Sequence, residues 1–168
     1  MNIKAVPRGE KYPEEFNVVI EIPKYSRNKY EYDEELDVIK LDRVQFTAMS
    51  SPYDYGFIPQ TRSEDGDHLD AFVLLDNSVF PGCVVAARPV GVLKMIDSGE
   101  MDEKIIAVPA DDTRYSHITD LSQLSPHIQK EIQHYFEHYK DLQNKKVEII
   151  AWGDKKEALE IMKKSQEG

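Results

Sequence analysis

The sequence predicts an α+β fold, a β-rich body with helices laid on it mainly near the C-terminus. Three observations carry this: short β-type runs fill the first two thirds of the chain, Pro, Gly, Asp and Ser separate them, and both segments with helical spacing come late. Strands at this spacing form a small barrel or a strongly bent sheet.

The first strand candidate is "NVVIEIP", residues 17–23. "KYEYD" and "VIKLDRV" then flank the polar "EELD" as the arms of a hairpin do. "YGFIPQ", "LDAFVLL", "CVVAARPVGVLKM" and "KIIAVPA" complete the β set. In "SPHIQKEIQHYFEHYKDLQ", Ser125 is suited to cap a helix and Pro126 to begin it. Ile128, Ile132, Tyr135, Phe136, Tyr139 and Leu142 follow at helical spacing and form one apolar stripe. "DKKEALEIMKKSQ" predicts a second helix. No repeat, low-complexity segment or linker interrupts the chain, so one domain over residues 1–168 is expected.

Composition narrows the function. The 168 residues carry 31 acids against 21 Lys and Arg, a formal charge of −10. Nucleic-acid binding needs a basic surface to displace counterions, so no nucleic-acid partner is expected. The single cysteine, Cys83, excludes an internal disulfide and fits a reducing compartment. The N-terminal "MNIKAVPRGEKYPEEF" lacks the apolar core of a signal peptide, and no run approaches a membrane span, so the cytoplasm is the expected location.

The informative segment is "SEDGDHLDAFVLL", where Asp65, Asp67 and Asp70 precede an apolar run that reads as a buried strand. Carboxylates this close repel one another, and burying one unpaired is costly. A positive group belongs among them. An EF-hand loop fails the count, because its fifth, sixth and twelfth positions from Asp65 hold Leu69, Asp70 and Asp76. Asp97 and Asp102 bracket a second acidic turn in "MIDSGEMDEK". Two such turns at neighbouring strand ends supply oxygen ligands for Mg²⁺, which keeps several waters and completes its shell with substrate phosphates. Cations suited to phosphate are present: Lys29 and Glu31 share one face of "KYEYD", and Arg43 shares the parity of Ile39 and Leu41, which points it inward.

The ordered set "EIP", "KYEYD", "LDR", "DYGFIPQT", "EDGDHLDAFV", "RPVGVLKMID", "DEKIIAVP" and "HYFEHYKDL" closely resembles the soluble inorganic pyrophosphatases of family I, from about residue 15 to about 155. The resemblance implies a five-stranded OB-like β-barrel with helices packed on it, which hydrolyses pyrophosphate to two phosphates with several Mg²⁺ ions, Mn²⁺ or Zn²⁺ being possible substitutes. Carried over residue by residue, Asp65, Asp70 and Asp102 resemble ligands of the two principal metals, and Asp97 and Asp102 those of a metal that arrives with substrate. Asp67 resembles the base that helps ionise the attacking water. Lys29, Arg43, Tyr55, Lys104, Tyr139 and Lys140 resemble the phosphate grip, with Glu21 and Glu31 as outer acids near the metals. The resemblance also implies a homohexamer. Divalent cations spanning one water lower its pKa toward ~7, which gives the crowded aspartates a purpose.

Three positions depart from the family pattern: His68 stands where Pro is usual, Ser51 where Tyr is common, and Ser98 where Glu is frequent. Two other readings compete. "HYFEH", residues 134–138, fits the H-x-x-E-H pattern of a zinc protease, but helical geometry sets His134 and His138 to the side of the apolar stripe and Glu137 roughly opposite it, which suits a solvated or subunit-facing surface better than a buried metal cleft. An OB-like barrel that only binds a partner would leave the acidic clusters without a use.

Overall fold

The computed structural model describes residues 1–167. Its strands are β1 (Phe16–Ile22), β2 (Asn28–Asp33), β3 (Val38–Val44), β4 (Asp54–Phe57), β5 (Asp70–Val73), β6 (Val84–Asp97), β7 (Glu100–Pro109) and β8 (Val147–Asp154), with helices α1 (Pro126–His138) and α2 (Lys155–Lys164). The main sheet runs β1-β4-β5-β7-β6-β8, and a further β1–β6 pairing closes β1, β4, β5, β7 and β6 into a five-stranded ring. Full closure leaves the ring without an unpaired edge. The expected barrel is therefore present, with β2 and β3 as a separate hairpin and β8 added outside it.

Ring closure depends on β6. Its first residues, Val84–Ala87, pair with β1, and Gly91–Asp97 pair with β8. The register shifts between Pro89 and Gly91, where the missing proline N–H suits a bulge better than a regular ladder. Gly56 on β4 serves closure too, since a Cβ there would meet the Val19 carbonyl oxygen at 1.9 Å. Only glycine permits β1 and β4 to approach this closely.

Alternation along the strands feeds two cores. Ala71 and Val73 of β5 and Ile105 and Ala107 of β7 join Phe16, Val18 and Ile20 of β1, against Ala158 and Met162 of α2. The opposite parity, Phe72 and Leu74 with Ile106 and Val108, packs beneath Ile132, Tyr135 and Phe136 of α1. Each fully buried large side chain contributes about 1.5–3 kcal/mol by leaving water. Asp54, wholly buried, accepts hydrogen bonds from Ser78 Oγ at 2.7 Å and the Val79 N–H at 3.2 Å and so anchors the segment between β5 and β6.

Several expectations need correction. The stripe continues only through Tyr139: α1 stops at His138, the chain enters a 3-10 turn at Asp141–Gln143, and Leu142 is 66% exposed. Ser125 does cap α1, accepting from the His127 N–H. β8 lies outside the strands the sequence predicts, because exposed Ile150 on this edge strand breaks the two-residue pattern. Leu41 is also exposed, so its parity with Arg43 defines no inward face. Tyr30 pairs with Leu41 and Lys29 with Arg43, which makes Asp42 an extra residue, and this bulge turns Arg43 to the side that Lys29 occupies.

Candidate active site

One cleft of about 430 Å³ opens where the face that carries the second core turns polar. Along β5 and β7 that face reads Phe72 then Asp70, and Ile106 then Lys104 and Asp102. The parallel β5–β7 register sets Asp70 beside Lys104. Tyr55 arrives from β4, Glu21 from β1, and Lys29 and Glu31 from β2. Asp97 stands at the end of β6, where Ser98 and Gly99, both at positive φ, make the two-residue turn into β7. Tyr139 and Lys140 follow α1, and Asp65 and Asp67 come from the loop before β5.

Every proposed site residue except Arg43 lines this cleft. Arg43 stands just outside: its Nη1 donates to Asp42 Oδ2 at 2.9 Å, while its buried Nε has no partner. The departures separate in space. His68 and Ser98 line the cleft. Ser51 does not; it is buried and donates to the Tyr53 carbonyl at 2.7 Å, so it is remote from phosphate. Arg62 and Glu34 also reach the cleft, and no sequence signal singles them out.

The charges are sorted into pairs. Lys104, its side chain 6% exposed, lies 2.6 Å from Asp70 Oδ2 and 2.8 Å from Asp102 Oδ1. It also donates to Tyr55 Oη at 2.9 Å. Burial alone would push its pKa down, but Asp70, Tyr55 and Asp102 hold it well above the usual lysine value. Lys140 pairs with Asp97, and Lys29 with Glu31. Burial pushes the Lys140 ammonium down against the pull of Asp97. Asp97 also resists burial, yet Lys140 keeps its carboxyl below the usual range.

Two acids lack such relief. Glu21 is pushed up to about 8, first by burial and then by Asp70, although its Oε1 accepts the Tyr32 N–H at 2.7 Å. Burial and the charges of Asp65 and Asp70 raise Asp67.

Among the described residues no three acidic, histidine or cysteine side chains converge as a ready metal cage. The ion pairs supply the reason, since ammonium groups already hold Asp70, Asp102, Asp97 and Glu31. The donor set nevertheless fits a hard divalent cation: its members are carboxylate oxygens, and Glu21 and Asp67 stay raised, first by desolvation and then by neighbouring negative charge. Elsewhere, the His134 and His138 rings lie 4.6 Å apart on an exposed flank of α1, while Glu137 accepts from Gln133. This is no protease centre.

The family profile described as inorganic pyrophosphatase matches residues 18–168. The chain belongs to the inorganic pyrophosphatase family. The pyrophosphatase of Saccharolobus solfataricus is 51% identical over 162 residues, covering 95% of this chain and 94% of the relative, and that of Nostoc sp. is 47% identical over 154 residues, covering 92% and 90%. The crystal structure of the Thermus thermophilus pyrophosphatase superposes with a TM-score of 0.93 at 48% identity, covering 97% of this chain and 95% of that one. Membership in the pyrophosphatase family implies a divalent metal cofactor. No helix among the described residues is long and apolar enough to cross a membrane.

Proposed function

We propose that this chain, acting as one domain, hydrolyses inorganic pyrophosphate to two orthophosphates with Mg²⁺ as its natural cofactor. The observation that carries the reading is the cleft itself, in which carboxylates from five strands and a loop face Lys29, Lys104, Lys140, Tyr55 and Tyr139. Asp65, Asp70, Asp97 and Asp102 would hold the cations, with Glu21 and Glu31 beside them. When bound, these ions activate water and neutralise phosphate charge.

The chain's own groups account for the remaining roles. Asp67 is exposed on the loop, and its carboxyl, raised above the ordinary aspartate range, is a stronger base than a free aspartate and suits the role of taking a proton from the attacking water. Lys29, Lys104 and Lys140, with the hydroxyls of Tyr55 and Tyr139, donate to phosphate oxygens, and Arg43 does so from the rim. Two linked phosphates engage donors on both sides of the cleft at once, whereas a monoester reaches one side. The exposed apolar residues of the β2–β3 hairpin, Val38, Leu41 and Val44, support assembly of copies, which we assign to a homohexamer in the cytoplasm.

Phosphate release from pyrophosphate and from a phosphomonoester, measured with Mg²⁺ and with chelator, tests the activity. The expected result is Mg²⁺-dependent release from pyrophosphate alone. Folded protein that releases no phosphate from pyrophosphate at saturating Mg²⁺ would overturn it.

A further inference from the structure

His68 follows Asp67 and leads into β5, yet its side chain points away from the carboxylates it separates. Its ring stacks on Phe57 with centroids 4.8 Å apart and planes 12° from parallel. Phe57 in turn stacks on Tyr32 of β2 at 5.1 Å and 12°. Three rings from the acidic loop, the barrel wall and the hairpin thus form one pile. The ring nitrogens are engaged as well: Nδ1 lies 2.8 Å from the Thr61 carbonyl oxygen and 3.1 Å from Arg62 Nη1, and Nε2 lies 2.7 Å from Glu34 Oε1. Glu34 begins the β2–β3 turn, where Arg62 Nη1 also meets it at 2.8 Å.

We propose that His68 is a positioning residue that ties the acidic loop to the tip of the β2–β3 hairpin, so that Asp67 on the loop and Lys29 and Glu31 on the hairpin keep a fixed separation. Within the loop, the Ser63 N–H donates to the Asp67 carbonyl at 2.8 Å, the Asp67 N–H to Asp65 Oδ1 at 2.9 Å, and the Leu69 N–H to Thr61 Oγ1 at 3.0 Å, while the Arg62 N–H at its start donates to the Ser165 carbonyl at 2.7 Å. Those bonds shape the loop without fixing it against the hairpin. The contact with Glu34 does that: His68 makes it from the middle of the loop, beside Asp67, and Arg62 from the loop's start.

The inference rests on the pyrophosphatase reading for its kinetic readout only. The structural readout is amide exchange of Ser63, Asp67 and Leu69 in metal-free protein, compared among His68→Ala, His68→Phe, Glu34→Ala and the His68→Ala/Glu34→Ala pair. The expected result is exchange roughly tenfold faster in the His68 variants, at least as fast in Glu34→Ala, which also releases Arg62, and no faster in the pair than in Glu34→Ala alone, because the His68–Glu34 contact is already cut. With Mg²⁺ and pyrophosphate, turnover should fall about tenfold while KM changes less than about twofold. His68→Phe keeps the stack and should regain wild-type thermal stability without regaining turnover or slow exchange. Full restoration of both by phenylalanine would make His68 a packing residue and overturn the proposal, as would additive effects of the two alanine substitutions. A wild-type protein inactive on pyrophosphate would instead refute the proposed function and leave the exchange result to judge the link.

Discussion

The two sides of the cleft are built differently. Asp70, Asp102, Lys104 and Tyr55 stand on strands β5, β7 and β4, with Lys104 bonded to the other three. Asp65 and Asp67 stand on an exposed loop around Gly66, at positive φ with nothing within 4 Å of the site a Cβ would take, and among the described residues the cleft lysines pair with other acids. The strand side is organised before any ligand arrives, because a lysine already balances its carboxylates. The loop side keeps its charge uncompensated. On the proposed metal assignment, a divalent cation would displace an ion pair on one side and only water on the other, so the strand side would contribute order and the loop side affinity.

Lys104→Met should break this contrast most severely. It leaves Asp70 and Asp102, both half-buried on the cleft wall, without their shared cation, against an upper bound of about 3–5 kcal/mol for removing one partner of a fully buried pair. Urea unfolding in chelator measures it, and a midpoint equal to wild type would deny that the lysine organises this side. Asp67→Asn should act in the opposite sense: turnover falls by about 10²–10⁴, while unfolding in chelator stays within ~0.5 kcal/mol because the side chain is exposed. Loss of stability without loss of turnover would exchange the roles of the two sides.

Glu21→Gln gives the smallest effect and sharpens the account of uncompensated charge. Folding raises Glu21 from 4.5 to about 8. Between those values the folded protein retains a proton that the unfolded chain releases, so metal-free stability falls as pH rises through the window. Below it both states are neutral at this position and the penalty vanishes. Glutamine keeps the acceptor for the Tyr32 N–H but carries no charge, so the variant should gain on the order of 1–2 kcal/mol on wild type between pH 5 and pH 8. Parallel stability profiles for the two proteins would show that Glu21 remains ionised in the fold.

Much of this was legible in the sequence, for a physical reason. Strand ends that turn from apolar to acidic, as "DHLDAFVLL" does, mark where a buried ladder reaches water, and the hairpin, the barrel strands and both helices follow from periodicity and turn residues. What was not legible depends on register and on distant partners. Nothing local says that Lys104 will stand opposite Asp70, since that follows from the parallel pairing of β5 with β7. Nor does the sequence show that Glu34 will meet Arg62 and His68 across 28 and more positions. β8 carries no clear strand pattern because an edge strand tolerates an exposed isoleucine. Ser51, beside a motif, lay in the wrong place to touch phosphate.

The Ser98–Gly99 turn carries one more consequence, in the order of assembly. β6 and β7 meet across a two-residue connection, and closing so short a loop sacrifices little chain entropy. The β1–β6 pairing joins segments more than 60 positions apart, and β5 reaches β7 only after the chain has traversed all of β6. Local pairings reward the chain earliest, so this hairpin is the natural nucleus. Asp97, Asp102 and Lys104 all ride on it. Part of the charged cleft is thus laid down before the barrel has closed, and the ring strands that arrive later assemble around a lysine already flanked by acid.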